Sequence, residues 1–202
     1  MKYVSLDIET TGLDTDKCQI LEVAMVYDDL DDPKPLDQLA CFHTLVTHKR
    51  YKGEAYALWL NNRIFERLKN KNYETFKEQL KYGTFECEYT PIDDLAFDMA
   101  HWFTFNKIDK VTIAGKNVGS FDMQFIKKLN GYSRIQQYIY YQYLDVGALY
   151  FDINKDTKIP SLDGCFLKAD IKNTVTHNAL EDALDVVTLI RKLKGIDDNI
   201  PF

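Results

Sequence analysis

The chain lacks an uninterrupted apolar run long enough to cross a bilayer, so a membrane-spanning helix is not expected. Its first residues, Met1 to Asp7, put an acid where a secretion signal needs an apolar stretch, and a soluble, cytoplasmic protein is expected. Only four cysteines occur, Cys18, Cys41, Cys87 and Cys165, far apart and without C-x-x-C spacing. That spacing offers neither a zinc site nor a disulfide framework, and reduced, mostly core thiols are the reading. Internal repeats and low-complexity tracts are absent. So is an overall positive charge: the net charge of −6 argues against a long duplex partner, which is gripped through many Lys and Arg contacts to phosphate.

What is present is enough apolar sequence for a core. The 202 residues are 46% hydrophobic and 28% charged, which suits one domain carrying an elaborated insertion. The charge is uneven: residues 1 to 48 hold ten acids against three bases, whereas residues 49 to 82 hold nine bases against four acids. An acidic end beside a basic segment suits a short anionic ligand, although the basic segment also reads as a solvated helical face.

Tyr3 to Ile8 alternates as a strand does, Gln19 to Tyr27 reads as a second strand and Leu39 to Val46 as a third, so the sheet starts antiparallel. Residues 55 to 70 have helical spacing, and further helices are expected over 73 to 82 and 92 to 105, with Pro91 in the first turn of the latter. Val111 to Gly115 is a short buried strand. Helices are expected over Ser120 to Leu129, over the tyrosine-rich stretch Ile135 to Phe151, and from about Leu180 to Leu193. This order predicts an α/β protein with a mixed sheet flanked by helices.

Three separated pieces carry chemistry. Asp7 and Glu9 form a D-x-E within a strand, and a side-chain period of two sends both carboxylates to one face, where together they can grip a cation. Asp122 follows a buried strand near a helix start, five residues after Asn117; alone it also reads as an acid favoured by the helix dipole. Asn178 and Glu181 look like a capping box, which places His177 just outside the last helix and Asp182 within it. The alternative for His177 is a histidine bonded to a backbone carbonyl near the cap. Four carboxylates and an imidazole are the inventory for two divalent cations and a general base acting on a phosphodiester.

Asp7-Ile8-Glu9-Thr10-Thr11-Gly12-Leu13, Asn117-Val118-Gly119-Ser120-Phe121-Asp122, and His177 with Asp182 resemble the three motifs of the DnaQ-like exonuclease superfamily in its DEDDh branch. The resemblance spans nearly the whole chain. It implies an RNase H-like fold with a mixed five-stranded sheet and a single 3′-to-5′ exonuclease domain over residues 1 to 202, with a helical basic insertion around 49 to 90. It further implies release of nucleoside 5′-monophosphates, with two Mg²⁺ or Mn²⁺ ions held by Asp7, Glu9, Asp122 and Asp182 and with His177 as the base. Thr10, Thr11 and Gly12 would meet the terminal sugar, Leu13 would wedge beside a base, and Asn117 and Phe121 would line the same pocket.

Trp59 and Asn62 are added from the basic segment, where a stacking platform would be useful; a core tryptophan and a surface asparagine are the plain alternative. Tyr138 to Gly147 and Ala114 to Gly119 are partly similar to oligoribonuclease, departing from it at Tyr140, Gln142 and Gly147. The expected substrate is a single-stranded DNA or RNA 3′ end, with degradation of short RNA, a non-catalytic nucleic-acid-binding module and an RNase H-type endonuclease as competing readings. A homodimer is also open, with the tyrosine-rich stretch as its candidate interface.

Overall fold

Side-chain alternation decides the first three elements. In β1 (Lys2–Thr10), Val4, Leu6 and Ile8 enter one hydrophobic cluster while Tyr3 enters another on the opposite face. β1 is therefore a central strand, buried on both sides. β2 (Ile20–Asp29) pairs antiparallel with β1 and with β3 (Ala40–Thr47). The β1–β2 register shifts between Glu9 and Thr10, a bulge of the kind that re-aims side chains at a strand end. The computed structural model describes residues 1–69, 75–173 and 175–196.

The chain continues through α1 (Ala55–Leu60), α2 (Asn62–Lys69), the hairpin of β4 (Thr75–Leu80) and β5 (Gly83–Pro91), and α3 (Leu95–Phe105). It then runs through β6 (Val111–Gly115), α4 (Asp122–Ile126), α5 (Ser133–Gln136), β7 (Ile139–Asp145), α6 (Val146–Leu149), α7 (Leu162–Ala169) and α8 (Ala179–Lys194). The sheet order is β4-β5-β3-β2-β1-β6-β7, with β6 parallel to both β1 and β7 and β5 parallel to β3. Apolar residues of α3, α4 and α5 cover one face, and those of α6, α7 and α8 cover the other. A smaller cluster joins Leu21, Leu45 and Cys87 to Ile64 of α2. The core is thus an RNase H-like α/β sandwich, as expected, with seven strands instead of five.

The two extra strands form a hairpin, the first of them where a helix was expected. Over 73 to 82, residues 75 to 80 form a strand, while 73 and 74 fall outside the described residues. Glu78 and Leu80 point inward and Lys77 and Gln79 outward, a period of two that continues through Phe85 and Cys87 of β5. Pro91 ends β5 instead of opening a helix, and α3 begins only at Leu95. The insertion is therefore partly a β-hairpin, which extends the sheet beyond β3.

The tyrosine-rich stretch is the second correction. It folds as α5, the edge strand β7 and α6, with Tyr140 and Tyr141 exposed. Aromatic residues suit a half-buried edge strand at least as well as a helix. The helix expected over 55 to 70 is broken at Asn61, whose side chain turns inward. Cys87 and Cys165 are buried, Cys18 and Cys41 partly so, and all four are free thiols. No helix among the described residues is long and apolar enough to cross a membrane.

Candidate active site

Asp7 and Glu9 leave β1 on the face that α8 covers, and Asp182 reaches them from the start of α8. Asn178 caps that helix: its side-chain oxygen accepts from the backbone N–H groups of Leu180 and Glu181, each at 3.1 Å. The expected reciprocal half of the capping box does not form. Glu181 instead accepts the backbone N–H of Lys81 at 2.7 Å and the hydroxyl of Thr176. His177 is thus held between an anchored Thr176 and the cap, exposed, with its backbone in the left-handed region at φ 54°. Its imidazole and the carboxylates of Glu9 and Asp182 each offer one atom within 4.8 Å of the others.

Asp122 opens α4 and is buried. Pairing of β6 with β1 stops at Ser5, so the N–H of Ile8 has no strand partner on that side, and Asp122 Oδ1 accepts it at 3.1 Å. The second motif therefore docks directly onto the first. Asp145 supports the connecting loop by accepting the backbone N–H of Asn117 at 2.6 Å, where Asn117 itself is left-handed at φ 59°.

Crowding shows in the acids. Burial pushes Asp7 well above the usual carboxylate range, reinforced by Asp122, Asp182, Glu9 and Glu22. Burial also raises Glu9 to about 8, with Glu22 and Asp182 adding to the effect and Arg63 and Asn61 opposing it. Asp122 rises to about 7 through burial, against its backbone N–H bonds. Asp182 rises to about 7 through burial and the nearby Asp185, against Lys81. Asp182 Oδ1 is buried with no hydrogen-bond partner among the described residues. Converging oxygen donors that resist ionisation, one of them orphaned, fit the ligand set of a hard divalent cation.

This gives a signed expectation. Carboxyls raised above their unfolded values keep protons that the unfolded chain releases, so they cost nothing below about pH 4 and destabilise progressively as pH rises through 7 to 8. The metal-free protein should melt at a lower temperature at pH 8 than at pH 5.5. Millimolar Mn²⁺ should raise the melting temperature by about 5 °C or more at pH 8 and by less at pH 5.5. A scanning-fluorimetry curve unchanged by Mn²⁺ at pH 8 would count against the cation site.

The loop after the first motif is braced by its own side chains. Thr10 and Thr11 are buried, and their hydroxyls serve the loop itself: Thr10 Oγ1 donates to the Gly12 carbonyl at 2.7 Å and Thr11 Oγ1 accepts from Gln19 N at 2.8 Å. Gly12 has φ 150°, and a Cβ there would lie 2.6 Å from Cys18 Sγ. Leu13 stands at the tip, 75% exposed, and Phe121 is partly buried against Phe125. Trp59 is 72% exposed on α1 with its ring 6.0 Å from that of Tyr56, so it is not a core residue. Asn62 is exposed; its neighbour Asn61 reaches the site, donating to the Thr10 carbonyl at 3.0 Å.

Several residues of the site were not anticipated. Glu22, His43 and Glu78 form a buried polar cluster behind Glu9 that the partly exposed Arg63 bridges, and Lys81 and Tyr82 at the β4–β5 turn bind Asp185 of α8 at 2.6 and 2.5 Å. The signal in the sequence was Glu22 itself, an acid inside an otherwise apolar strand. The basic segment is in part consumed internally, since Arg63, Arg67 and Lys81 all pair with buried acids; Lys71 lies outside the described residues.

No family model and no curated protein matches the sequence. Solved structures do match. Cell-death related nuclease 4 superposes with a TM-score of 0.63 at 14% identity, over 96% of this chain and 64% of the other. Exonuclease I from Methylocaldum szegediense gives 0.64 at 13% identity, over 98% of this chain and 41% of the other. The zinc-bound complex of E. coli exonuclease I with single-stranded DNA gives 0.62 at 14% identity, over 98% and 41%. The chain therefore spans under two thirds of these proteins and shares their fold.

Proposed function

We propose that this chain is a divalent-cation-dependent 3′-to-5′ exonuclease that hydrolyses single-stranded DNA or RNA to nucleoside 5′-monophosphates. The observation that carries the reading is the convergence of Asp7, Glu9, Asp122 and Asp182, all raised by burial, with an exposed imidazole beside them. The fold shared with nucleases, one of them solved with zinc and single-stranded DNA, supports it.

Asp7, Glu9, Asp122 and Asp182 would hold two Mg²⁺ or Mn²⁺ ions. When bound, such ions polarise the scissile phosphate and lower the pKa of water. The remaining work falls to the protein. His177, exposed and fixed between Thr176 and Asn178, accepts the proton of the attacking water at a ring nitrogen. Asp122, locked onto Ile8 N, keeps the second motif in register with the first, so the acids face one reacting centre. Leu13 at its exposed tip would wedge beside the terminal base, with Asn117 and Phe121 as further contacts to the same nucleotide.

Further along the strand, Tyr56 and Trp59 present two exposed rings on α1, whose ends are tied to the first motif through Glu54 N to Thr11 O at 2.8 Å and Asn61 to Thr10 O. Unpaired bases stack on such rings, and Arg50 and Lys52 nearby suit the phosphates. Asn62, exposed beside them, is kept as a contact to the same strand.

The test is a time course on 5′-labelled single-stranded DNA and RNA 20-mers, dinucleotides and a circular strand, with Mg²⁺, Mn²⁺ or EDTA. A metal-dependent ladder shortening from the 3′ end, with the circle intact, is expected. Cleavage of the circle would instead indicate an endonuclease, cleavage of dinucleotides alone an oligoribonuclease-like enzyme, and cleavage of nothing a binding module.

A further inference from the structure

Glu22 lies directly opposite Glu9 in the β1–β2 pair and is fully buried, yet it is not free to join the acid cluster. Its Oε1 lies 2.7 Å from His43 Nε2, and its Oε2 accepts Arg63 Nη2 at 2.7 Å. Burial alone would push Glu22 up, but His43 and Arg63 hold it below the usual carboxylate range. The same guanidinium reaches Glu78 of β4, with Nη1 3.4 Å from Oε1.

Both carboxylates that Arg63 spans also touch the start of α8. Glu22 Oε2 accepts the backbone N–H of Ala179 at 3.5 Å, and Glu78 Oε1 accepts the side-chain amide of Asn178 at 3.4 Å. Asn178 and Ala179 directly follow His177 and precede Asp182 by one helical turn.

We infer that Arg63 is a positioning residue for the acidic centre: by bridging Glu22 and Glu78 it fixes the N-terminus of α8 against the end of β1 and keeps Glu22 out of the cation's ligand set. This rests on the cation-binding reading above. A planar guanidinium suits the task because its fork meets two carboxylates at once, whereas a lysine ammonium is a single point charge. The network connects β2, β4 and α8 through one side chain of α2, and β2 carries β1 as its paired neighbour, so this segment is part of the site's support. Arg67, one turn further along α2, pairs with Glu78 as its one carboxylate partner among the described residues and makes a matched control.

The experiment is calorimetric titration of Mn²⁺ into wild type, R63A, R63K and R67A, with melting curves in EDTA to establish folding. Groups behind a metal's direct ligands typically govern affinity by about 10- to 100-fold, and R63A is expected to weaken Mn²⁺ binding by that factor. R63K should fall between R63A and wild type, and R67A should stay within about threefold of wild type because Glu22 keeps its bridge. If R63A does not fold, R63K carries the test. Mn²⁺ binding by R63A, or failing that R63K, within about twofold of wild type, or an equal loss in R67A, would overturn the inference alone. A wild type that takes up no Mn²⁺ would overturn the cation-binding reading together with it.

Discussion

Asp182→Ala is expected to abolish 3′-end hydrolysis, with turnover down by about four orders of magnitude, while the metal-free fold stays intact. The loss follows from geometry: Asp182 carries a buried oxygen with no hydrogen-bond partner among the described residues and offers a carboxylate atom within 4.8 Å of Glu9 and His177, so its removal takes a proposed ligand out of the centre. Several kcal/mol of charge stabilisation at the phosphate disappears with a misplaced cation, and each ~1.4 kcal/mol is tenfold in rate. The fold should tolerate the change because Asp182 is destabilising when ionised without a cation: burial and Asp185 both oppose its charge. At pH 8 the metal-free variant should therefore melt at or above the wild-type temperature, and the gain from Mn²⁺ should shrink. Lost activity with a markedly lower melting temperature would instead mark Asp182 as a structural residue.

His177→Ala is expected to lower turnover by roughly 10²-fold, the usual contribution of a positioned general base, with little change in KM. His177 is exposed, so truncation removes little packing, but its left-handed backbone makes the choice of replacement matter. Asparagine tolerates that conformation better than alanine, and His177→Asn separates loss of the imidazole from backbone strain. Both variants should show the same kinetic defect. Near-wild-type turnover in either would remove His177 as the base.

The acids were legible in the sequence because each depends on local geometry. A strand's period of two puts Asp7 beside Glu9, and the Asn178 cap fixes where His177 and Asp182 stand relative to α8. Their supporting groups were not legible, because they depend on pairings between distant segments. Glu22 matters through its register opposite Glu9, and Glu78 through a hairpin whose strands read as helix and loop. Arg63 looked like one more base on a solvated face until the hairpin supplied a carboxylate for it to meet. The tyrosines of β7 misled for a related reason: only the neighbouring β6 shows that their segment is an edge strand. Asn61 and Asn62 differ by one position along the chain, and the break between α1 and α2 decides which of them turns inward.

The bonds that close this site are separated along the chain by unusual lengths. Ile8 meets Asp122 across 114 residues, and Glu22 meets Ala179 across 157. Folding dominated by such non-local contacts is slow, because the connecting loops must close before the contacts form. During synthesis the first two motifs emerge long before α8 does. A nascent chain at that stage carries Asp7, Glu9 and Asp122 without His177 or Asp182. On the proposed activity, hydrolytic competence therefore waits until α8 has been made and has docked against the first two motifs.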